Sequence, residues 1–458
     1  MAISSTNPAT GVVEKTFEPH SLAEVDRRLD LAVAAVKAMR STTFEERAAW
    51  MIAGAELLEM EVDELAPVLT REMGKTLASA RAEVLKCAKG MRFYAANAAH
   101  FLADEPLVTP ADVGASRAYA RYQPLGVVLA VMPWNYPLWQ VIRFAAPALM
   151  AGNAGVLKHA SNVPQSALYL DALFTRAGFP EGAFATLLIG SREVDAVITD
   201  PRVKAVTLTG SEPAGRAVAQ SAGQQIKKAV LELGGSDPFI VMPSADLEEA
   251  SRIAVTARTG NNGQSCIAAK RFIVHADVYE QFSERFVSRM AALQVGDPML
   301  DTTDIGPIAT ESGRRDLVEL VDDALAKGAT ALTGGATSDG PGWFYPPTVI
   351  SNVTPAMRIH LEETFGPVAT LYRVESAEEA IELANGTTFG LSSAIWSSDE
   401  EEQDRFVAEL DAGAVFINGM TISYPELPFG GIKDSGYGRE LAASGIREFC
   451  NLKTIWKA

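Results

Sequence analysis

Val127-Val-Leu-Ala-Val-Met-Pro-Trp-Asn-Tyr-Pro137 decides the fold. A short apolar run stops at a proline, and further short apolar runs follow along the next hundred residues. Ala154–Leu157, Ala185–Ile189, Ala205–Leu208 and Lys228–Leu233 are further short runs, each separated from the next by a helical segment. Strands alternating with helices are the signature of βαβ units and a mostly parallel sheet. Ligands on such sheets bind beyond the carboxyl ends of the strands, so the residues after each run are the ones that bear on function.

Upstream the period is helical. Ser21-Leu-Ala-Glu24 and Thr43-Phe-Glu-Glu46 have the form of capping boxes. They precede Val25, Leu29, Ala32 and Val36, and Ala48, Met51, Ile52 and Ala55, each set on one helical face. A third helical run covers Leu77 to Ala99 and holds Cys87 in an apolar setting that reads as core. Downstream, a second α/β block runs from about Pro238 to Val415, with helices expected near Asp246–Thr259, Val278–Ala292 and Gly313–Lys327 and strands at Arg271–His275 and Ala369–Arg373. A glycine-rich tail and a final strand, Cys450–Trp456, close the chain.

The chain has 458 residues, enough for two or three domains, with 48% hydrophobic and 21% charged residues, ordinary for a globular protein. No apolar run is long enough to span a bilayer, and the amino terminus has no signal-like pattern. Three scattered cysteines fit a reducing cytoplasm, and five histidines without ligand spacing predict no metal site. The net charge of −17 argues against nucleic acid or an anionic membrane as a partner. If the substrate is an anion, that overall field repels it, and a specific local cation is expected beside the site.

Several positions carry chemistry. Asn135, in the loop Pro133-Trp-Asn-Tyr-Pro137, can offer an amide donor at a strand end. Arg143 lies in an apolar helix and needs a partner, either a structural carboxylate or an anionic ligand. Lys158 and Ser161 follow the second run and suit a phosphate or ribose, while Gly210 and Ser211 open a helix and can cradle a pyrophosphate. No G-x-G-x-x-G fingerprint is present. Glu232, between leucines and before two glycines, is expected to be partly buried with a raised pKa, as a general base would be. Cys266 lies in Gly260-Asn-Asn-Gly-Gln-Ser-Cys266, where Gly260 and Gly263 are expected to turn the chain tightly. In Leu361-Glu-Glu-Thr-Phe-Gly-Pro367, a carboxylate can hold a ribose and Phe365 can pack on a flat ring.

These motifs, in this order, resemble the aldehyde dehydrogenase superfamily from end to end: Pro-Trp-Asn-Tyr-Pro, Leu-Lys-His-Ala-Ser, Leu-Thr-Gly-Ser-x-x-x-Gly, Leu-Glu-Leu-Gly-Gly, Gly-Gln-Ser-Cys, Glu-Glu-Thr-Phe-Gly-Pro and Pro-Phe-Gly-Gly-x-Lys-x-Ser-Gly. Within it the chain looks most like the bacterial NADP-dependent succinate-semialdehyde dehydrogenases. The resemblance implies an α/β fold with a Rossmann-type cofactor domain, an α/β catalytic domain and a small oligomerisation strand arm. On that pattern residues 1–235 form the cofactor domain, with 112–126 in the arm, 236–418 form the catalytic domain, and 419–458 return to the cofactor domain and end in the oligomerisation strand.

The resemblance also assigns roles. Cys266 matches the nucleophile, Asn135 and the Cys266 N–H match the oxyanion hole, and Glu232 matches the base that activates water. Trp134, Lys158, Ser161, Gly210, Ser211 and Glu363 match cofactor positions, with Leu233 and Phe365 near the nicotinamide. Serine at 161, where NAD-linked relatives typically carry glutamate, implies NADP over NAD. Arg143 and Ser423 match positions that hold the carboxylate of succinate semialdehyde. A homodimer or homotetramer is expected. Two departures stand out: Ser-Arg-Glu-Val194 follows Gly190 where many relatives have another glycine, and Ala268 replaces the second cysteine of some relatives. The alternatives are a broader-specificity or NAD-linked aldehyde dehydrogenase, a CoA-acylating enzyme, which would not need Glu232, a retired binding protein, and a cysteine hydrolase using His159.

Overall fold

The computed structural model describes residues 3–337 and 340–458; of the amino-terminal segment read above, Met1 and Ala2 lie outside them. Val127–Met132 is a strand with the bounds expected from its sequence. It lies inside a six-stranded sheet ordered Gly436–Tyr437, Lys228–Glu232, Val203–Thr209, Val127–Met132, Ala154–His159, Phe184–Thr186. The strands pair in parallel, except for the Gly436–Tyr437 edge, which runs antiparallel to Lys228–Glu232. The order of the parallel strands reverses at Val127–Met132, the doubly wound pattern that opens a crevice at the carboxyl ends.

A second, seven-stranded sheet is ordered Thr330–Thr333, Thr348–Ser351, Val368–Val374, Ala269–His275, Asp237–Val241, Ser393–Trp396, Val415–Ile417, parallel except at the Thr330–Thr333 edge. A third sheet pairs Cys450–Lys457 with Arg117–Pro124 and Glu105–Pro106. Parallel strands covered on both faces are apolar throughout rather than alternating, which is why these runs were visible in the sequence. The helix Trp139–Met150 is buried on every side and packs on the helix Leu77–Phe101, so Arg143 enters the interior with it.

The capping box at Thr43 forms in full, whereas at Ser21 only the serine half is made. Ile52 is exposed, since the buried face of its helix runs through Met51, Ala55 and Leu58. The run at Ala185–Ile189 forms strand only over Phe184–Thr186. A hairpin, Ile3–Asn7 with Val12–Phe17, and the helix Val62–Met73 were not anticipated. The hairpin has few apolar residues, and Pro67 interrupts the helical pattern of the other.

From Lys228–Glu232 the chain crosses through residues 233–236 directly into Asp237–Val241. This crossing sets the carboxyl edge of the first sheet against the amino edge of the second. The expectation that ligand-side residues follow strands therefore holds for the first sheet alone. Cys266 and Glu363 instead precede the strands Ala269–His275 and Val368–Val374.

Candidate active site

The loop that carries Cys266 is shaped by three successive left-handed residues, Asn261 (φ 58°), Asn262 (φ 57°) and Gly263 (φ 72°). Gly260, expected to make the turn, has an ordinary φ of −50°. Asparagine tolerates the left-handed region when its amide bonds nearby backbone. Asn261 Nδ2 donates to the carbonyls of Asn135 (2.9 Å) and Gln264 (3.0 Å), and Asn262 Nδ2 to those of Gly74 (2.8 Å) and Pro307 (3.1 Å). Gly263 abuts the backbone of Gly366 and Pro367, where a side chain has no room, and Arg258 donates to the Gly263 carbonyl (2.6 Å). The cysteine loop is thereby fastened to both the Asn135 loop and the loop of Glu363.

Cys266 is partly exposed. Its surroundings push the thiol up to about 12, chiefly through burial, with Arg143 and Lys270 pulling the other way. Lys270 Nζ donates to the carbonyls of Ser265 (3.0 Å) and Cys266 (2.6 Å). Asn135 Nδ2 donates one N–H to the Gln264 carbonyl (3.3 Å), and its Oδ1 accepts from Gln140 (3.4 Å), which orients the amide and leaves the second N–H unassigned. Ala268 leaves no second thiol beside Cys266.

Glu232 ends its strand 2% exposed, and neither carboxylate oxygen has a hydrogen-bond partner among the described residues. Burial raises its pKa well above the ordinary value, Glu440 adds to the rise, and Arg143 and Arg439 oppose it. Gly430 lies against Glu232 Oε1. His159, the alternative base, is tied to the carbonyls of Met132 (3.2 Å) and Pro137 (2.8 Å), and burial lowers it to about 4. It holds the Asn135 loop rather than facing a thiol.

Of the two partners left open for Arg143, the structure provides the carboxylate: the residue is 2% exposed, ion-paired with Glu440 and stacked over Phe429. Ser423 is buried and accepts from Trp139 Nε1 (2.9 Å) and Lys86 Nζ (2.8 Å).

The expected cofactor residues gather at the carboxyl edge of the first sheet and the loop beyond it. Lys158 is nearly buried at the end of Ala154–His159, and its ammonium has neither a hydrogen bond nor an ion pair among the described residues. Burial lowers its pKa, and Glu193 opposes the shift. Ser161 is half-buried three residues on. An unpartnered ammonium with a hydroxyl close by in the chain is a donor set that fits a phosphate. Gly210 precedes Ser211, the N-cap of Glu212–Gln224, whose hydroxyl makes no capping bond and stays exposed. Gly215 of that helix packs on Leu233. Glu363 Oε1 is held by Gly235 N (3.1 Å) and Lys270 (3.1 Å), Oε2 has no hydrogen bond among the described residues, and Trp134 meets Phe365 edge-to-face at 5.7 Å. Among the described residues no His, Cys, Asp and Glu cluster could hold a metal, and no helix is long and apolar enough to cross a membrane.

Sequence reasoning missed Asn261, Glu440, Lys270 and Lys86. Asn-Asn-Gly was a usable signal for left-handed backbone; the other three are charged residues whose importance arises only from what the fold brings to them.

Comparison with known proteins places the chain among relatives of known family. The model of the aldehyde dehydrogenase family matches residues 1–455. The chain is 64% identical over 457 residues to a succinate-semialdehyde dehydrogenase [NADP(+)] of Mycobacterium avium, covering 100% of this chain and 97% of that one. It is 62% identical over 458 residues to succinate-semialdehyde dehydrogenase [NADP(+)] 1 of Mycobacterium tuberculosis, covering 100% of both. The crystal structure of succinic semialdehyde dehydrogenase from Streptococcus pyogenes in complex with NADP+ superposes with a TM-score of 0.96 at 39% identity, covering 99% of each chain. With its motifs, its two facing sheets and a family match across nearly the whole length, the chain belongs to the aldehyde dehydrogenase family.

Proposed function

We propose that this chain oxidises succinate semialdehyde to succinate with NADP. The reading is supported by a partly exposed Cys266 in a loop bonded to an oriented Asn135 amide, and by an unbonded, buried Glu232 carboxylate at the end of the strand that leads into the second sheet. The substrate and cofactor are supported by the names of the 62–64% identical relatives.

In this reading Cys266 Sγ, on losing its proton, attacks the aldehyde carbon to form a thiohemiacetal. The second N–H of Asn135 and the backbone N–H of Cys266 stabilise the developing oxyanion. When bound, NADP supplies the two-electron acceptor for the hydride that leaves this carbon, so that a thioester remains on Cys266. Glu232, held unpaired and with a raised pKa, takes a proton from water as the water attacks the thioester carbon. Collapse expels Cys266 Sγ and releases the acid. Water-activating chemistry of this kind distinguishes the reading from transfer of the acyl group to CoA.

Lys158 and Ser161 would hold the 2′-phosphate, Ser211 and the helix behind it the pyrophosphate, and Glu363 Oε2 a ribose, with Trp134, Leu233 and Phe365 lining the nicotinamide end. Residues 1–235 then act as the cofactor domain and 236–418 as the catalytic domain. Steady-state kinetics with both cofactors tests the assignment. A higher kcat/KM with NADP than with NAD is expected, and replacing Ser161 by glutamate should reverse the order. A wild-type preference for NAD overturns it.

The eight-residue strand Cys450–Lys457 lies at a sheet edge with Leu452 and Trp456 exposed, which suits pairing across a two-fold axis in a homodimer or homotetramer. The three cysteines are free, in keeping with a cytoplasmic enzyme.

A further inference from the structure

We propose that Lys270 is the positioning residue of the main-chain oxyanion donor: its ammonium clamps the two peptides that flank Cys266, directing the Cys266 N–H away from itself and polarising it. The inference rests on Cys266 being the nucleophile of the proposed reaction, and it names the group that holds that donor in place.

Lys270 is the second residue of the strand Ala269–His275 and is 1% exposed. All three N–H groups of its ammonium are committed. Two donate to the carbonyls of Ser265 (3.0 Å) and Cys266 (2.6 Å), and the third faces Glu363 Oε1 in an ion pair (3.1 Å). The carboxylate answers the requirement that a buried charge be paired. The two carbonyls do something else, because they belong to consecutive peptides with the cysteine between them. Arg271, on the opposite face of the strand, instead binds the carbonyls of Ser236, Leu383 and Ala384 and has no bond to the cysteine turn.

The direction of the donor follows from the peptide bond. The Ser265 carbonyl and the Cys266 N–H belong to one planar, trans unit, in which C=O and N–H point opposite ways. An ammonium on the carbonyl therefore turns the N–H away from Lys270. The Ser265 oxygen also accepts from Ala268 N (3.1 Å), which closes a tight turn with Cys266 inside it. Gly235, three residues after Glu232, stands against the Cys266 carbonyl, where an added Cβ would lie 2.8 Å from the oxygen. Both peptides are thus held, and the Cys266 N–H has no acceptor among the described residues. A fixed turn with one donor left open suits an oxyanion, which accepts only.

The charge of Lys270 adds to the geometry. A cation bonded to the Ser265 carbonyl draws electron density through the amide and makes the N–H of the same unit a stronger donor. It also reaches the sulfur: burial raises the Cys266 thiol to about 12, and Arg143 and then Lys270 oppose the rise.

The test compares Lys270→Met and Lys270→Arg with the wild type in two reactions. One is single-turnover NADPH formation from saturating succinate semialdehyde and NADP; the other is alkylation of Cys266 by iodoacetamide. Both consume the thiolate, but only the first develops an oxyanion. Removing one oxyanion donor costs about 10²–10³-fold, and here the donor stays but loses its alignment, so Lys270→Met should slow NADPH formation about 10–10²-fold. The maximal alkylation rate at high pH should stay within about twofold, while its pH midpoint moves up because the charge that opposed burial is gone. Lys270→Arg, whose fork can span both carbonyls, should recover most of both losses. Lys270→Gln, with one amide donor and no charge, should fall between the two, and it carries the same comparison should the methionine variant fail to fold. Equal losses in the two reactions, or a raised KM for NADP with the single-turnover rate retained, overturn the assignment while leaving the proposed function standing. A wild type that forms no NADPH from the aldehyde overturns both.

Discussion

Glu83 and Glu232 are carboxylates of equal burial in two neighbouring regions, and the protein surrounds them in opposite ways. Glu83, on the helix Leu77–Phe101, pairs with Lys75 and accepts from the backbone N–H groups of Leu138 (2.8 Å) and Trp139 (3.0 Å). It caps the helix that carries Arg143 and follows the Asn135 loop. Glu232 has no hydrogen-bond partner among the described residues, and a second buried carboxylate, Glu440, acts on it. A buried polar group left unbonded costs stability, and a chain keeps one where something other than stability is served. The first region is scaffold; the second keeps a carboxylate buried and unbonded.

Exchanging each carboxylate for its amide separates the two most sharply. Glu232→Gln should lower steady-state turnover by about 10²–10⁴-fold, the usual contribution of a general base. It should retain a single-turnover burst of NADPH, and the thioester on Cys266 should be detectable by mass spectrometry of the quenched enzyme. Its stability should not fall. The folded pKa of Glu232 is raised, so the stability it contributes is complete below the unfolded value near 4.5 and is lost as pH rises through the folded one. Thermal melts should therefore show the variant at least as stable as the wild type at neutral pH, with the gap widening as pH rises. The wild type's kcat should climb with pH as Glu232 ionises, and that limb should be absent from the variant.

Glu83→Gln reverses the pattern. It leaves Lys75 buried without its partner, and breaking a buried pair costs about 3–5 kcal/mol, to be read from denaturant unfolding. Turnover should drop less than in Glu232→Gln, because Glu83 only anchors the start of the helix. A Glu83 variant as stable as the wild type would break the comparison.

The sequence made the first region easy to read and the second only half so. Strands such as Val127–Met132 are buried on both faces and are written as continuous apolar runs, and caps such as Thr43 are local devices. Cys266, Asn135 and Glu232 were found through motifs that span a few residues each. What escaped was pairing across the fold. Arg143 looked equally ready for a carboxylate of the protein or of a ligand, and the return of the tail sets Glu440 beside it. Lys86 lies on a helix read for its apolar face, and its hydrogen bond to Ser423 spans 337 residues.

Asn261 sharpens the distinction further, with the smallest expected effect, because one residue there serves both scaffold and site. Its left-handed backbone and its amide bonds to the Asn135 and Gln264 carbonyls can be removed separately. Asn261→Gly keeps the backbone free to adopt φ near 58° and deletes the amide; Asn261→Ala deletes the amide and adds strain of about 1–2 kcal/mol. The alanine variant should therefore be less stable than the glycine variant by about that amount in chemical unfolding. Both should lose kcat/KM to the same extent, since both release the Asn135 loop from the cysteine loop. If activity instead follows stability across the pair, the amide is only scaffold, and the oxyanion donor is positioned by Gln140 and Gln264 without it.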